Sequence, residues 1–200
     1  MTIEQLKFEF IKIYQENIKR KGSEELLKWI LASDFFKAPA SARFHSNFAG
    51  GLCEHSIKVY KRLVELYEQE NLKNPKIVAN INYENLAIAG LLHDLCKVNF
   101  YKEDFKNVKN EFGVWEKVPC YSYNEDMPIG HGEKSVMIIM QFMLLTKDEI
   151  AAINWHMGGF DKRVLGGDSS ISHAFEKFPL AVLTHSADFL CTYLDEETNK

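Results

Sequence analysis

Apolar residues recur at helical spacing along most of this chain. Thr2-Ile3-Glu4-Gln5 reads as a capping box, and Leu6, Phe10, Ile13, Tyr14 and Ile18 behind it predict an amphipathic helix to about Arg20, ended by Lys21-Gly22. Ser23 is placed to cap a second helix that turns Leu26, Leu27, Ile30 and Leu31 inward. Residues 38–51 are rich in small residues and predict a loop. A third helix follows from about Leu52 to Leu72, with Ile57, Val59, Tyr60 and Leu63 among its buried positions. A polar connection containing Pro75 leads to a fourth helix from about Glu84, whose apolar run Leu86 to Leu92 ends in His93-Asp94.

The period then changes. Phe100-Tyr101, Phe105, Val108, Val114-Trp115, Val118 and Tyr121 are aromatic and β-branched residues around the turn Lys109 to Gly113, which predicts a β-hairpin. Helical spacing resumes after Pro128, where a polar cluster ending in Ser135 opens a helix through Val136, Met140 and Met143. Thr146 and Glu149 form a second capping box for a helix reaching His156, ended by Gly158-Gly159. Residues 158–172 predict a mobile loop, and Pro179 opens a last helix through Asp188. The expected fold is therefore an all-α helical bundle with a small β-hairpin insertion at about 99–124. The expected organisation is a single domain over 1–200, with N-terminal scaffold helices in 1–37 and the core in 38–195.

Composition narrows the setting. With 200 residues and 46% hydrophobic content, the chain buries a sizeable core without disulfides. Cys53, Cys96, Cys120 and Cys191 form no CxxC pair, which points to reduced thiols and a cytoplasmic location. The first residues lack the unbroken apolar core of a signal peptide, and the longest apolar stretch, Val136 to Leu145, is too short to span a bilayer. A net charge of −4 gives no overall pull toward nucleic acid or an anionic membrane.

The chemistry lies in the polar residues that interrupt the apolar faces. Burying His93-Asp94 at the end of an apolar helix is costly unless something compensates, and metal coordination is one such compensation. The alternative is an ordinary polar helix end, where histidine is favourable. Five candidate groups, His55, His93-Asp94, His131, His156 and Asp188, each fall on a different predicted helix. They are about one helix and one return connection apart, as expected if antiparallel helices bring them to a common level.

In this order the residues resemble the HD-domain superfamily of metal-dependent phosphohydrolases, in the branch whose two additional histidines hold a dinuclear centre. Phe44-His45 through Gly50-Gly51-Leu52-Cys53-Glu54-His55-Ser56 resembles the family's lead-in helix, and Leu91-Leu92-His93-Asp94-Leu95-Cys96-Lys97 resembles its HDxGK signature, with Cys96 where glycine is usual. The resemblance spans about Ala40 to Leu194. It implies that His55, His93, Asp94 and Asp188 hold one ion, that Asp94, His131 and His156 hold a second, and that Asp94 bridges the two. Such a nitrogen and carboxylate set suits Mn²⁺, Fe, Co²⁺ or Zn²⁺, and it implies catalysis by metal-activated water.

In that setting Asp94 and Lys97 are the catalytic candidates, and Arg43, His45, Lys97 and Lys134 are the candidates for binding substrate. Glu54 is placed to orient a ligand or pair with Arg43, and His185 reads as a supporting or core histidine. The leading expectation is hydrolysis of a phosphomonoester or phosphodiester of a nucleotide or related small metabolite. Nucleic acid is a poorer fit, because the hairpin's lysines are matched by acidic residues. Two alternatives stay open: an HD-type di-iron oxygenase, and a non-catalytic nucleotide-binding module. The sequence does not indicate an oligomeric state, nor whether the hairpin is a lid or an interface.

Overall fold

The computed structural model of the chain describes residues 1–42, 46–125 and 127–196. Its elements follow the hydrophobic pattern closely. Helix α1 (Ile3–Asn17) starts at the Thr2 capping box, in which Thr2 and Gln5 exchange hydrogen bonds, and it buries Leu6, Phe10 and Tyr14. The helix ends earlier than its spacing suggests. Ile18 turns extended, and the backbone N–H groups of Lys19 and Arg20 donate to the Glu84 carboxylate. Helix α2 (Ser23–Ala32) is capped by Gly22 in the left-handed region and not by the Ser23 side chain. The Ser23 carbonyl instead accepts the Tyr14 hydroxyl at 2.8 Å.

Helices α3 (Gly51–Lys73) and α4 (Tyr83–Leu92) form the centre. Helix α4 is buried from Asn85 to Leu92, apolar on all sides from Leu86 onward, and packs on α1, α3 and α6 (Lys147–Asn154). Its start is a second capping box, Asn82 with Asn85. One core cluster joins Phe10, Phe35, Leu52, Leu91 and Ile153. A second joins Val59, Leu86, Ala152 and Leu180 of α9 (Pro179–Leu190), and Tyr60 packs against both.

The crossing of α3 and α4 depends on Gly90. A Cβ there would lie 2.6 Å from the Tyr60 Cα, inside any normal contact. Alanine has the better helix propensity by about 1 kcal/mol, yet it would have to push two backbones apart in a packed core. Gly90→Ala is expected to destabilise the chain by about 1–3 kcal/mol net, read as a lower urea midpoint. An unchanged or raised midpoint would show that the helices have room to separate.

The hairpin is present, with β1 (Tyr101–Lys109) and β2 (Trp115–Tyr123) antiparallel and Tyr101 paired with Tyr123 at the base. Its turn is closed by the Asn110 side-chain oxygen, which accepts from the Phe112 and Val114 N–H groups, and by Gly113 at φ 75. Phe100 stacks on Tyr123 where the hairpin joins the bundle. Beyond it come α5 (His131–Met140), α6, α7 (Lys162–Leu165), α8 (Ser170–Lys177), α9 and a π turn, Cys191–Asp195.

The expected mobile loop over 158–172 is a correction. It contains a 3-10 turn (Gly158–Phe160), α7 and the start of α8. Its polarity is satisfied internally: Asp161 caps α7, and Arg163 ties the segment to Asp161, Glu133 and Asn154. Among the described residues no helix is long and apolar enough to cross a membrane.

Candidate metal centre

The end of α4 sets the site. The helix stops at Leu92, His93 keeps helical angles, and Asp94 leaves them (φ −106, ψ 20) to begin the 3-10 turn Leu95–Lys97. This change of direction offsets the ~100° divergence of neighbouring helical residues, so both side chains face the same space. The 3-10 turn is held against α5 by Ser135, whose hydroxyl oxygen accepts the Cys96 N–H at 3.1 Å. Cys96 itself stays outside the left-handed region, so its backbone does not require the glycine of the resembled signature.

His55 reaches the site from the second turn of α3, His156 from just past the end of α6, and Asp188 from α9. His55, His93, Asp94 and His156 are buried, and Asp188 nearly so. The His55 Nε2 lies 3.2 Å from the His93 Nε2, 3.2 Å from Asp188 Oδ1 and 3.6 Å from Asp94 Oδ2. The His93 Nε2 is 3.4 Å from the same Asp94 oxygen. The other oxygen, Oδ1, faces the His156 Nε2 at 3.5 Å. Ligand bonds of about 2.0–2.2 Å give coordination-polyhedron edges of roughly 3.0–3.5 Å, so these separations suit atoms sharing a cation.

Each ring is oriented through its other nitrogen. The Nδ1 of His93 meets the Gly90 carbonyl at 2.9 Å, and that of His156 meets the Ile153 carbonyl at 2.7 Å. Both are carbonyls three residues back at a helix end, where acceptors are left over. With Nδ1 carrying the proton, Nε2 presents a lone pair to the centre. The His55 Nδ1 meets Glu196 Oε1 at 2.7 Å.

Charge is concentrated here. Burial alone would raise the Asp94 carboxyl, but Lys97, His93 and His156 hold it well below the usual carboxylate range. Burial would lower His55, yet Glu196 and Asp188 outweigh it and the imidazole is pushed up to about 10. Among the described residues, the buried atoms Asp94 Oδ1 and His156 Nε2 have no hydrogen-bond partner. Leaving such groups unsatisfied is costly. A cation between them would satisfy both, so the residues fit a metal.

The remaining expected residues fall in different places. His131 opens α5 with its Nδ1 3.5 Å from the Cys96 Sγ, and it is not in either group of converging ligand atoms among the described residues. The residue is exposed, yet partial burial of its imidazole and then the Lys97 ammonium hold it below the ordinary value. Lys97 is buried, with Nζ 2.6 Å from Asp94 Oδ2. Lys134 is 2.8 Å from Glu125 and sits over the Phe100 ring. Arg43 and His45 lie outside the described residues.

Glu54 turns away to pair with Lys58 at 2.7 Å, so the carboxylate on the His55 Nδ1 is Glu196 and not the sequence neighbour. Glu196 gave no signal in the sequence, because an acidic residue near a polar chain end reads as solvated. His185 has its Nδ1 2.7 Å from the His156 carbonyl and its ring beside Phe175, a supporting place outside the converging groups. A surface concavity of about 600 Å³ lies on α1, lined by residues such as Met1, Phe8 and Lys12, and holds none of these groups.

Compared with protein-family models, residues 52–188 match the one described as HD domain. No curated protein and no solved structure matches the chain.

Proposed function

Because the chain belongs to the HD-domain family, we propose that it is a metal-dependent phosphohydrolase acting on a phosphomonoester or phosphodiester of a nucleotide or related small metabolite. The observation that carries this reading is the convergence of His55, His93, Asp94 and Asp188 at coordination-edge distances, with the orphaned Asp94 Oδ1 and His156 Nε2 facing each other beside them.

On this reading His55, His93, Asp94 and Asp188 would hold one ion, and Asp94 and His156, with His131 beside them, would hold a second. A divalent cation bound there supplies Lewis acidity, bringing the pKa of water at the site toward neutrality and screening phosphoryl oxygens. The donor set of nitrogen and carboxylate suits Mn²⁺, Fe, Co²⁺ or Zn²⁺. Burial pushes the nearby Cys96 thiol up to about 12, which keeps it protonated and a poor ligand.

The chain's own groups do the rest. The Nδ1 contacts keep the imidazoles of His93 and His156 in one tautomer and orientation. The Lys97 ammonium, with its pKa raised by Asp94 despite burial, is a fixed positive charge beside the centre. It is suited to a phosphoryl oxygen or to a developing negative charge on the leaving group.

The test is phosphate release from a panel of nucleotides and small phosphoesters with added Mn²⁺. Release by the wild type that is absent from Asp94→Ala supports the proposal and begins to name the substrate. Silence across both mono- and diesters would sink it, and oxygen consumption by the iron-loaded chain would be the next assay.

A further inference from the structure

The three central histidines are not held alike. His93 and His156 sit at helix ends and use spare carbonyls of their own helices. His55 lies inside α3, where the carbonyls behind it are already taken by the helix. Its Nδ1 therefore needs an acceptor from elsewhere, and the structure supplies one 141 residues away, Glu196 Oε1 at 2.7 Å.

Delivery of that carboxylate is built into the chain. Helix α9 does not stop cleanly after Leu190 but widens into the π turn Cys191–Asp195. Asp195 is gripped by both the Nε and the terminal guanidinium nitrogen of Arg62. Arg62 lies seven residues after His55, on the same face of α3. The C-terminal turn is thus laid along α3 with Glu196 over the His55 ring. Its second oxygen accepts the Ser46 hydroxyl at 2.8 Å, and Ser46 holds a left-handed φ of 46. The Glu196 side chain is fully buried.

We infer that Glu196 is a positioning residue for the centre: its carboxylate orients His55 through Nδ1, raises the donor strength of Nε2, and joins the C-terminal turn to the loop ahead of α3. This rests on the metal reading proposed above. A charged acceptor makes a stronger hydrogen bond than a carbonyl, and carboxylates behind ligating histidines commonly tune metal affinity.

The experiment uses the full chain and its Glu196→Ala and Glu196→Gln variants, with Mn²⁺ alone as the probe. Calorimetric titration is expected to show Mn²⁺ affinity reduced about 10–100-fold in Glu196→Ala. Glu196→Gln keeps an acceptor oxygen without the charge and should fall between that variant and wild type. It is also nearly isosteric, so it carries the test if the alanine variant folds poorly. A purely structural role would lower the melting temperature of both variants and leave Mn²⁺ affinity within about 2-fold of wild type; that result overturns the inference.

A second readout needs no metal. The ¹⁵N imidazole signals of His55 should show a protonated, hydrogen-bonded Nδ1 in wild type and a changed one in Glu196→Ala. If wild type takes up no Mn²⁺, the metal reading fails by itself. The His55 spectrum then decides the inference, and an unchanged signal in Glu196→Ala would reject it.

Discussion

Asp94→Ala is expected to abolish stoichiometric metal uptake and to lower phosphate release by at least about 10³-fold. Removing a single preorganised group that stabilises charge typically costs 10²–10³-fold. Asp94 offers one oxygen toward His55 and His93 and the other toward His156, so its loss would affect both sides of the centre together. Metal analysis of the purified chain, followed by Mn²⁺ titration, checks the first part.

The same logic makes a stability prediction. A ligand that binds only the folded chain stabilises it by about 4 kcal/mol at a thousandfold excess over its dissociation constant. Wild type should therefore melt higher with added Mn²⁺ and lose that gain with a chelator, whereas Asp94→Ala should show no shift. Because the substitution also leaves the buried Lys97 ammonium without its carboxylate, a double variant adding Lys97→Met separates loss of metal from loss of fold. Retained Mn²⁺ binding by a folded Asp94→Ala chain would refute this account of the centre.

Arg20→Ala is expected to destabilise the chain by about 3–5 kcal/mol, the usual cost of stripping the partner from a buried charge. For a chain of this length that is a melting shift on the order of 10 °C. Both terminal nitrogens of Arg20 bind the Glu149 carboxylate at 2.7 Å, and Glu149 is fully buried. Asn85 and the Thr146 N–H complete the shell around it. The network ties the end of α1 to the starts of α4 and α6, the two helices that lead to His93-Asp94 and His156. Arg20→Lys should recover only part of the loss, because an ammonium cannot reproduce the bidentate fork. Replacing Arg20 and Glu149 together by leucine should recover more.

A pH signature accompanies this. Burial would raise the Glu84 carboxyl, but the Lys19 backbone N–H, the Arg20 guanidinium at 3.2 Å and the Arg20 backbone N–H outweigh it and hold it below its ordinary value. A depressed folded pKa gives stability that is present above the unfolded value and lost as pH falls through the folded one. Glu84's share of the gap between wild type and Arg20→Ala should therefore shrink as pH drops below about 4.3. A gap that stayed constant through the acid range would exclude Glu84 from the network's contribution.

Much of this architecture was legible beforehand. The capping boxes at Thr2 and Thr146 and the apolar run into His93 mark where helices start and what they bury, because those signals act within a few residues. The hairpin showed itself by a change of period around the turn Lys109 to Gly113, in which Asn110 and Gly113 are turn residues. Helices α7 and α8 were missed because Gly166-Gly167 and the serines around them mimic a loop, whereas Arg163 ties α7 to α5 and to the end of α6, and α8 packs on α9.

By itself, then, the sequence determined the helical framework, the place of the hairpin and the residue types able to ligate, since periodicity and side-chain chemistry are local properties. Only the tertiary structure decided which of those groups converge: His55, His93, Asp94, His156 and Asp188 do, while His131 stands beside Cys96. It also decided that Lys97 engages Asp94, that Lys134 engages Glu125, and that Glu196 holds His55. Those choices depend on which buried polar atoms still need a partner once the helices have packed, and that is settled between residues up to 141 positions apart.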